Sequence, residues 1–370
     1  MRTVGVEEEM LLVDIRDGRA QSVQGQVVLR PALGEMTLAA QGDEGALEGE
    51  FQQEQLETHT APVHLMADLE DQVRHWRREA DAAARQAHCR VAALASPPLP
   101  TGPTPAAGER YQRIRERYQL VAREQLSCGL HIHVSIESDE EAVGVLDRIR
   151  SWLPVLLALS ANSPFTDGED SGFQSWRSQV MRAWPSSGPT PLTGSARAYH
   201  QLVRDMTAST VLLDEGMVYF DARLSQRYPT VEIRSPDVCL RVDDTVVLAA
   251  LARGLVETAA AEWAAGHPAP EVSTIMVGLA SFQASRHGMT GDLLDPLTFR
   301  PRSAWEVVDA LLEWIRPALQ ANGDWPRVEA GLERIRAEGS GADVQRTTFD
   351  RTGQLVDVVA QAVRLTAGQE

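Results

Sequence analysis

Four segments of the chain put acids, histidines or an arginine at alternate positions: Glu7 and Glu9 in GVEEE, Glu57 and His59 in QLETHT, His131 and His133 in CGLHIHVS, and Glu232 and Arg234 in TVEIR. Side chains two apart on a strand share a face, so each couple reads as one side of a strand, with Glu8 pointing the other way. The apolar flanks Val4, Val6, Met10, Leu11, Leu12 and Val13 call for an ordered strand around the three glutamates. Like charges so placed repel and need a cation between them. Glu50 and Glu54 extend the second segment. The step from Glu50 to Glu57 is odd, so these two reach one site only across a bend, which Gly49 permits. Carboxylate oxygens together with waters or phosphate oxygens are what Mg²⁺ prefers. An arginine beside such a carboxylate can neutralise a transferred phosphoryl group. Taken singly, each segment also has a plainer reading: a solvated acidic strand, an intrastrand Glu232–Arg234 ion pair, two surface histidines or a zinc-type pair.

Composition narrows the chemistry. A formal charge of −17 over 370 residues argues against nucleic-acid and anionic-membrane partners, which need a basic face. The chain has no lysine, and all 35 bases are arginine. That removes Schiff-base, pyridoxal-phosphate and P-loop lysine chemistry, leaving phosphate to arginine and metal ions. Cys89, Cys128 and Cys239 are odd in number and widely spaced, and read as core residues of a reduced protein. MRTVGVEEEM has no apolar leader region, and the longest apolar run, near 152–161, is too short to span a bilayer. A cytoplasmic location is therefore expected.

The elements that must position these side chains follow from periodicity. Strands are expected at 4–13, 51–60, around 128–137, at 217–225 and at 230–234, with a short apolar segment at 91–96. A long helix opens at Pro62, with Leu65, Leu69, Val73 and Trp76 on one face. Further helices are expected at 109–126, from Asp139 with a kink at Pro154, at 173–184 and at 195–208. From Asp243 the chain reads mainly helical, at 245–265, 303–320, 325–337 and 354–366. The Pro/Gly stretch PPLPTGPTPAAG reads as a loop within one domain. The strands are too polar for a parallel sheet buried on both faces. The expected class is α+β: a curved antiparallel sheet with helices on its convex face and a polar concave face left open.

TVGVEEEMLLVD, QLETHTAP, CGLHIHVS, LPVLLALSANSPF, GMVYFDARLSQRYPTVEIRSPDV and DDTVVLAALARGLVETA occur in that order, and together they resemble the type 2 glutamate–cysteine ligase family, also called carboxylate-amine ligases. The resemblance runs from residue 3 to about 265 and more loosely through a mainly helical part, 266–370. It implies one ligase domain over 1–370, with a fold like glutamine synthetase and the guanidino kinases. It implies ATP and Mg²⁺ as cofactors, and amide formation from a glutamate-like carboxylate and an amine such as cysteine through an acyl phosphate. By resemblance the metal ligands are Glu7, Glu9, Glu50, Glu57, His131 and Glu232. Arg234 is expected at the transferred phosphoryl group, with Glu57 and Arg234 as catalytic residues. Arg177 and Arg223 are further candidates for nucleotide or carboxylate binding, as are Arg110 and Tyr111. The partners are small amino acids, and a homodimer is left open. Asn162 and Thr166 stand where the family usually has serine and an aromatic residue, and Leu224 where proline is common; both segments are expected to shape the substrate pocket.

Two other classes compete. A metal-dependent hydrolase would gather His131, His133 and glutamates around zinc, although zinc sites usually need three or four N/S ligands. A non-catalytic relative would bind nucleotide alone.

Overall fold

The computed structural model describes residues 1–29 and 45–369. In chain order the elements of the first half are β1 (Val4–Val13), α1 (Gln24–Leu29), β2 (Ala46–Gly49), β3 (Gln55–His59), α2 (Met66–Gln86), β4 (Arg90–Ala92), α3 (Glu109–Tyr118), α4 (Leu120–Glu124), β5 (Leu130–Ser135), α5 (Asp139–Ile149) and α6 (Leu153–Ser160). There follow β6 (Phe165–Thr166), β7 (Glu169–Asp170), α7 (Trp176–Met181), α8 (Ala196–Ala208), β8 (Ala222–Leu224), β9 (Thr230–Ile233), α9 (Val242–Ala264) and α10 (Thr274–His287). The chain ends with β10 (Asp292–Leu294), β11 (Pro301–Ser303), α11 (Ala304–Asn322), α12 (Trp325–Glu338), α13 (Gly341–Thr352) and α14 (Leu355–Thr366).

Seven strands form one antiparallel sheet in the order β2-β3-β1-β5-β9-β8, with β4 following β5 along the same edge of β1. The mixture of helices with an antiparallel sheet is the expected α+β class. Burial alternates along the first half of β1, with Val4, Val6, Glu8 and Met10 buried and Glu7 and Glu9 partly exposed. From Met10 to Val13 every residue is buried, because β4, the end of α2 and α14 close over that end of the strand. Leu130, Ile132, Val134, Val231 and Ile233 continue the buried face into a large core with α2, α5 and α9. Glu8 belongs to that hidden face. Arg77 of α2 grips its carboxylate at 2.7 and 2.8 Å, and Thr245 of α9 donates to it at 2.7 Å.

Several boundaries differ from the sequence expectation. Of the expected 51–60 strand only Gln55–His59, β3, is extended; it pairs with β2, and the turn through 50–54 that joins the two carries Glu50. The 109–126 helix breaks at Gln119, whose φ of 48° ends α3 and starts α4. The break lets the carbonyls of Ala122 and Gln125 accept from the Gln52 amide at 3.0 and 2.8 Å. Pro154 stands in the first turn of a new helix rather than in a kink, because its missing N–H costs nothing there. α10 and α13 were not anticipated. Among the described residues no helix is long and apolar enough to cross a membrane.

Candidate functional site

Strand register assembles the site. Across β1 and β3, Glu7 pairs with His59 and Glu9 with Glu57. Across β1 and β5, Glu7 pairs with His131. Across β5 and β9, His133 pairs with Glu232, and across β8 and β9, Glu232 pairs with Arg223. Alternation then puts all of these on the one sheet face not covered by α2 and α9.

Glu7 is at the centre, ringed by three imidazoles. His131 Nδ1 lies 3.0 Å from one carboxylate oxygen, and His133 Nε2 and His59 Nδ1 lie 3.2 and 3.3 Å from the other. Burial alone would raise the Glu7 carboxyl; contacts with His131, His133 and His59 outweigh it and hold the group well below the usual carboxylate range. Thr230 Oγ1, 2.9 Å from His133 Nδ1, fixes that ring. Burial, followed by the Arg234 charge, lowers His131, which favours the neutral imidazole a metal needs.

Glu9 accepts from the Gly129 amide at 2.6 Å. Glycine at 129 leaves room for Arg177: a Cβ there would come within 2.2 Å of Arg177 Nη2, so the guanidinium would have to shift. Glu57 is pushed well above the usual range by burial and by the charges of Glu7, Glu50 and Glu9. Glu50 is pushed up to about 7 by burial and by Glu9. Glu232 behaves oppositely: burial would raise it, but Arg234 and Arg223 hold it far below the usual range. Arg223 meets it at 2.7 and 3.1 Å, Arg234 Nη1 contacts the same carboxylate, and the Arg234 guanidinium lies 6.0 Å from the Tyr219 ring centre.

Three overlapping groups place ligand atoms within 4.8 Å of one another: Glu7, His131 and Glu232; Glu7, Glu57 and His59; Glu9, Glu57 and His131. Glu50 lines the same cavity as Glu9 and His131, about 170 Å³ in volume. Nε2 of His59 and of His131 is buried without a hydrogen-bond partner. Orphaned imidazole nitrogens among carboxylates that repel one another fit a site for hard divalent cations. The imidazoles surround Glu7 rather than one another, and no group among the described residues offers two histidines to one ion. That is unlike a histidine-rich zinc centre.

The remaining candidates divide. Arg110 is paired with Asp214 at 2.8 and 3.0 Å and lines the cavity with Tyr111, which packs on Phe51. Arg177 is largely buried but lines the cavity too, with Nη atoms 3.3 Å from the carbonyls of Ser235 and Arg234. Glu54 ties down the Thr104 loop by accepting from its amide at 3.0 and 3.1 Å. Asn162 is buried and does not line the cavity, donating to the carbonyls of Ala93 and Val238 at 2.8 Å, so it braces the fold instead of shaping that pocket. Gln125, Ser127, Trp184 and Tyr219 line the cavity and carry no spacing signal in the sequence. The three cysteines are buried thiols.

Residues 3–361 match the profile of glutamate-cysteine ligase family 2. A Streptomyces avermitilis protein provisionally named glutamate–cysteine ligase 2-1 is 49 % identical over 368 residues, covering 100 % of both chains. A Streptomyces coelicolor protein provisionally named glutamate–cysteine ligase 2 is 50 % identical over 366 residues, covering 99 % of each. Among solved structures, a glutamate–cysteine ligase from Francisella tularensis in complex with AMP superposes with a TM-score of 0.70 at 13 % identity, over 100 % of this chain and 89 % of that one. A bifunctional glutathione synthetase from Pasteurella multocida gives 0.72 at 15 % identity; the match spans 99 % of this chain and 52 % of that one. These two likenesses establish a shared fold.

Proposed function

Because the chain belongs to glutamate–cysteine ligase family 2, and so to the ATP-dependent ligases that form carbon–nitrogen bonds, we propose that its open sheet face joins a glutamate-like carboxylate to an amine such as cysteine through an acyl phosphate. The observation that carries this reading is the convergence of Glu7, Glu9, Glu57, His131, Glu232 and Arg234 on one face of one sheet. The same fold in complex with AMP in the Francisella tularensis ligase supports a nucleotide here. We read residues 1–370 as a single ligase domain.

Glu7, Glu9, Glu50, Glu57, His131 and Glu232 would hold Mg²⁺, whose charge offsets that of the ATP phosphates when bound. Glu57 belongs to both the Glu7–His59 and the Glu9–His131 groups, so it ties the two halves of the cluster together. Arg234 lines the cavity together with Glu9, Glu50 and His131, held by Glu232 and flanked by Tyr219. Its fixed charge, drawn out of water, suits the oxygens of a phosphoryl group in transfer. The substrate carboxylate attacks the γ-phosphorus of ATP, and ADP leaves. The amine then attacks the acyl carbon, and phosphate leaves. Arg223 keeps Glu232 oriented, and Arg177 holds the carbonyls of Arg234 and Ser235 just past β9.

The test is amino-acid-dependent ADP release from Mg·ATP with single and paired amino acids. Release that needs glutamate and cysteine together supports the reading. Release with another acid or amine keeps the mechanism and changes the substrates. No release with any pair would overturn it in favour of nucleotide binding alone.

A further inference from the structure

We propose that Tyr228 is the platform on which the nucleotide base stacks, so that ATP lies lengthwise along β9 with its terminal phosphate at Arg234; the proposal rests on the ATP-dependent reading above. In phosphoryl transfer the attacking and leaving oxygens stand roughly in line through phosphorus. The acid therefore reaches the γ-phosphorus from one side, and ADP leaves on the other. Strand register tells the sides apart. On β5, His131 faces Glu7, and His133 faces Glu232 of the antiparallel β9, so going from His131 to His133 leads toward the start of β9. The cavity lies at the other end of this row. Glu9, Gln55, Ser127, His131 and Arg234 line it, whereas His59, His133 and Glu232 do not. With acid and amine in the cavity, the nucleotide takes the end where β9 begins.

Tyr228 stands at that end. Its ring meets the His133 ring edge-on, with centres 5.9 Å apart and planes at 90°, yet the residue stays 55 % exposed. Thr230, which fixes His133, and Glu232 follow it at alternate positions on the same side of the chain. Glu232 is four residues on, at most about 13 Å at the rise of a strand. Arg234 Nη1 reaches back to the Glu232 carboxylate, so the guanidinium falls within the same span. That is the reach of an extended nucleoside triphosphate from base to terminal phosphate. Arg227, exposed beside Tyr228, puts a further cation along the path, near enough for its charge to be felt at His59.

The turn that carries the ring is pinned. Ser225 Oγ accepts from the amides of Arg227 and Tyr228 at 3.4 and 3.3 Å. The Thr230 amide donates to the Tyr228 carbonyl at 2.8 Å, and the Ile136 amide donates to that of Pro229 at 3.0 Å. A ring already held in place loses little freedom when a base stacks on it. Tyr111 and Phe51 are the rival aromatic surface, but they line the cavity on the side of the attacking acid.

Equilibrium binding of Mg·ATP and of Mg²⁺ with inorganic tripolyphosphate separates the base from the phosphates without any turnover. Tyr228→Ala should weaken Mg·ATP by about tenfold or more, the usual effect of losing an aromatic partner to a base, and leave tripolyphosphate within about twofold. Tyr228→Phe keeps the ring and should bind Mg·ATP like wild type. Equal weakening of both ligands, or unchanged Mg·ATP affinity in Tyr228→Ala, would overturn the proposal. A larger loss of Mg·ATP affinity in Tyr111→Ala than in Tyr228→Ala would put the base in the cavity and overturn it as well. Wild-type protein that binds Mg·ATP but releases no ADP with any amino-acid pair overturns the ligase reading alone, and the binding arms still decide the placement of the base. Wild-type protein that binds no Mg·ATP overturns both.

Discussion

Glu8 and Arg77 form a two-pronged ion pair on the side of β1 opposite Glu7 and Glu9, and both side chains are almost wholly buried. Arg77 also donates to the carbonyls of Leu240 and Cys239 at 3.1 and 2.7 Å, so one guanidinium ties β1 and α2 to the chain entering α9. Breaking a buried pair leaves the partner charge uncompensated, at a cost of about 3–5 kcal/mol. Arg77→Met should therefore lower unfolding stability by about that much, and pairing it with Glu8→Gln should recover part of the loss. Urea unfolding of the four proteins checks this. Wild-type stability in Arg77→Met would show that the clamp does not hold the strand.

Glu57→Gln tests the cation site from the opposite direction. The Glu57 carboxyl is destabilised as an anion by burial and by Glu7, Glu50 and Glu9. A neutral amide of similar shape removes that repulsion, so the metal-free protein should melt at the same temperature or higher. Mg²⁺ should raise the melting temperature of wild-type protein by mass action and that of the variant much less. ADP release should fall by about a hundredfold or more. A full Mg²⁺ response in Glu57→Gln would remove this residue from the ligand set.

The site face was largely legible in the sequence because strand alternation is a local rule. Glu7 with Glu9, Glu57 with His59, His131 with His133 and Glu232 with Arg234 each needed only i, i+2 spacing inside an extended segment. What binds distant segments was not legible. Nothing local in GVEEE names Arg77 as the partner of Glu8, and the bend that Gly49 permits gave no sign that residues 46–49 form a strand paired with β3. Gln119 breaks a regular amphipathic pattern because Gln52, far away in the chain, takes the carbonyls of Ala122 and Gln125. The strand expected at 217–225 shrinks to Ala222–Leu224, preceded by a single helical turn at Glu215–Met217. α10 was missed because it is apolar on its outer side too, with Ile275, Leu279 and Phe282 exposed.

Tyr199 contributes to an alkaline limit, as does Tyr219, which burial also pushes up to about 12. Burial pushes the Tyr199 hydroxyl up to about 12, although the Leu224 amide donates to the oxygen at 3.2 Å. A group whose affinity for its proton rises on folding contributes stability below its unfolded value and loses it as pH climbs through the folded one. Stability should thus fall between about pH 10 and 12, by up to about 3 kcal/mol from this group. Tyr199→Phe should flatten that fall and lose about 1 kcal/mol near neutrality with the hydrogen bond. Urea midpoints across the alkaline range decide it, and an unchanged slope in the variant would contradict the assignment.

Arg234, Arg223 and Arg177 looked alike as phosphate-binding candidates, yet their surroundings predict three different phenotypes. Arg234→Gln leaves Glu232 paired with Arg223, so the fold should persist while kcat drops by about 10²–10³. Arg223→Gln also abandons the carbonyls of Gly216 and Val218, so stability and kcat should fall together. Arg177→Ala leaves the carbonyls of Arg234 and Ser235 unmet and opens space against Gly129, so loss of stability should dominate. The Gly129 contact supplies a decisive check. Gly129→Ala should be strongly destabilising in wild-type protein, where its new methyl would meet Arg177 Nη2, and well tolerated once Arg177 is alanine. A double-mutant cycle on melting temperature measures that coupling. Additive effects would mean that the guanidinium can move aside.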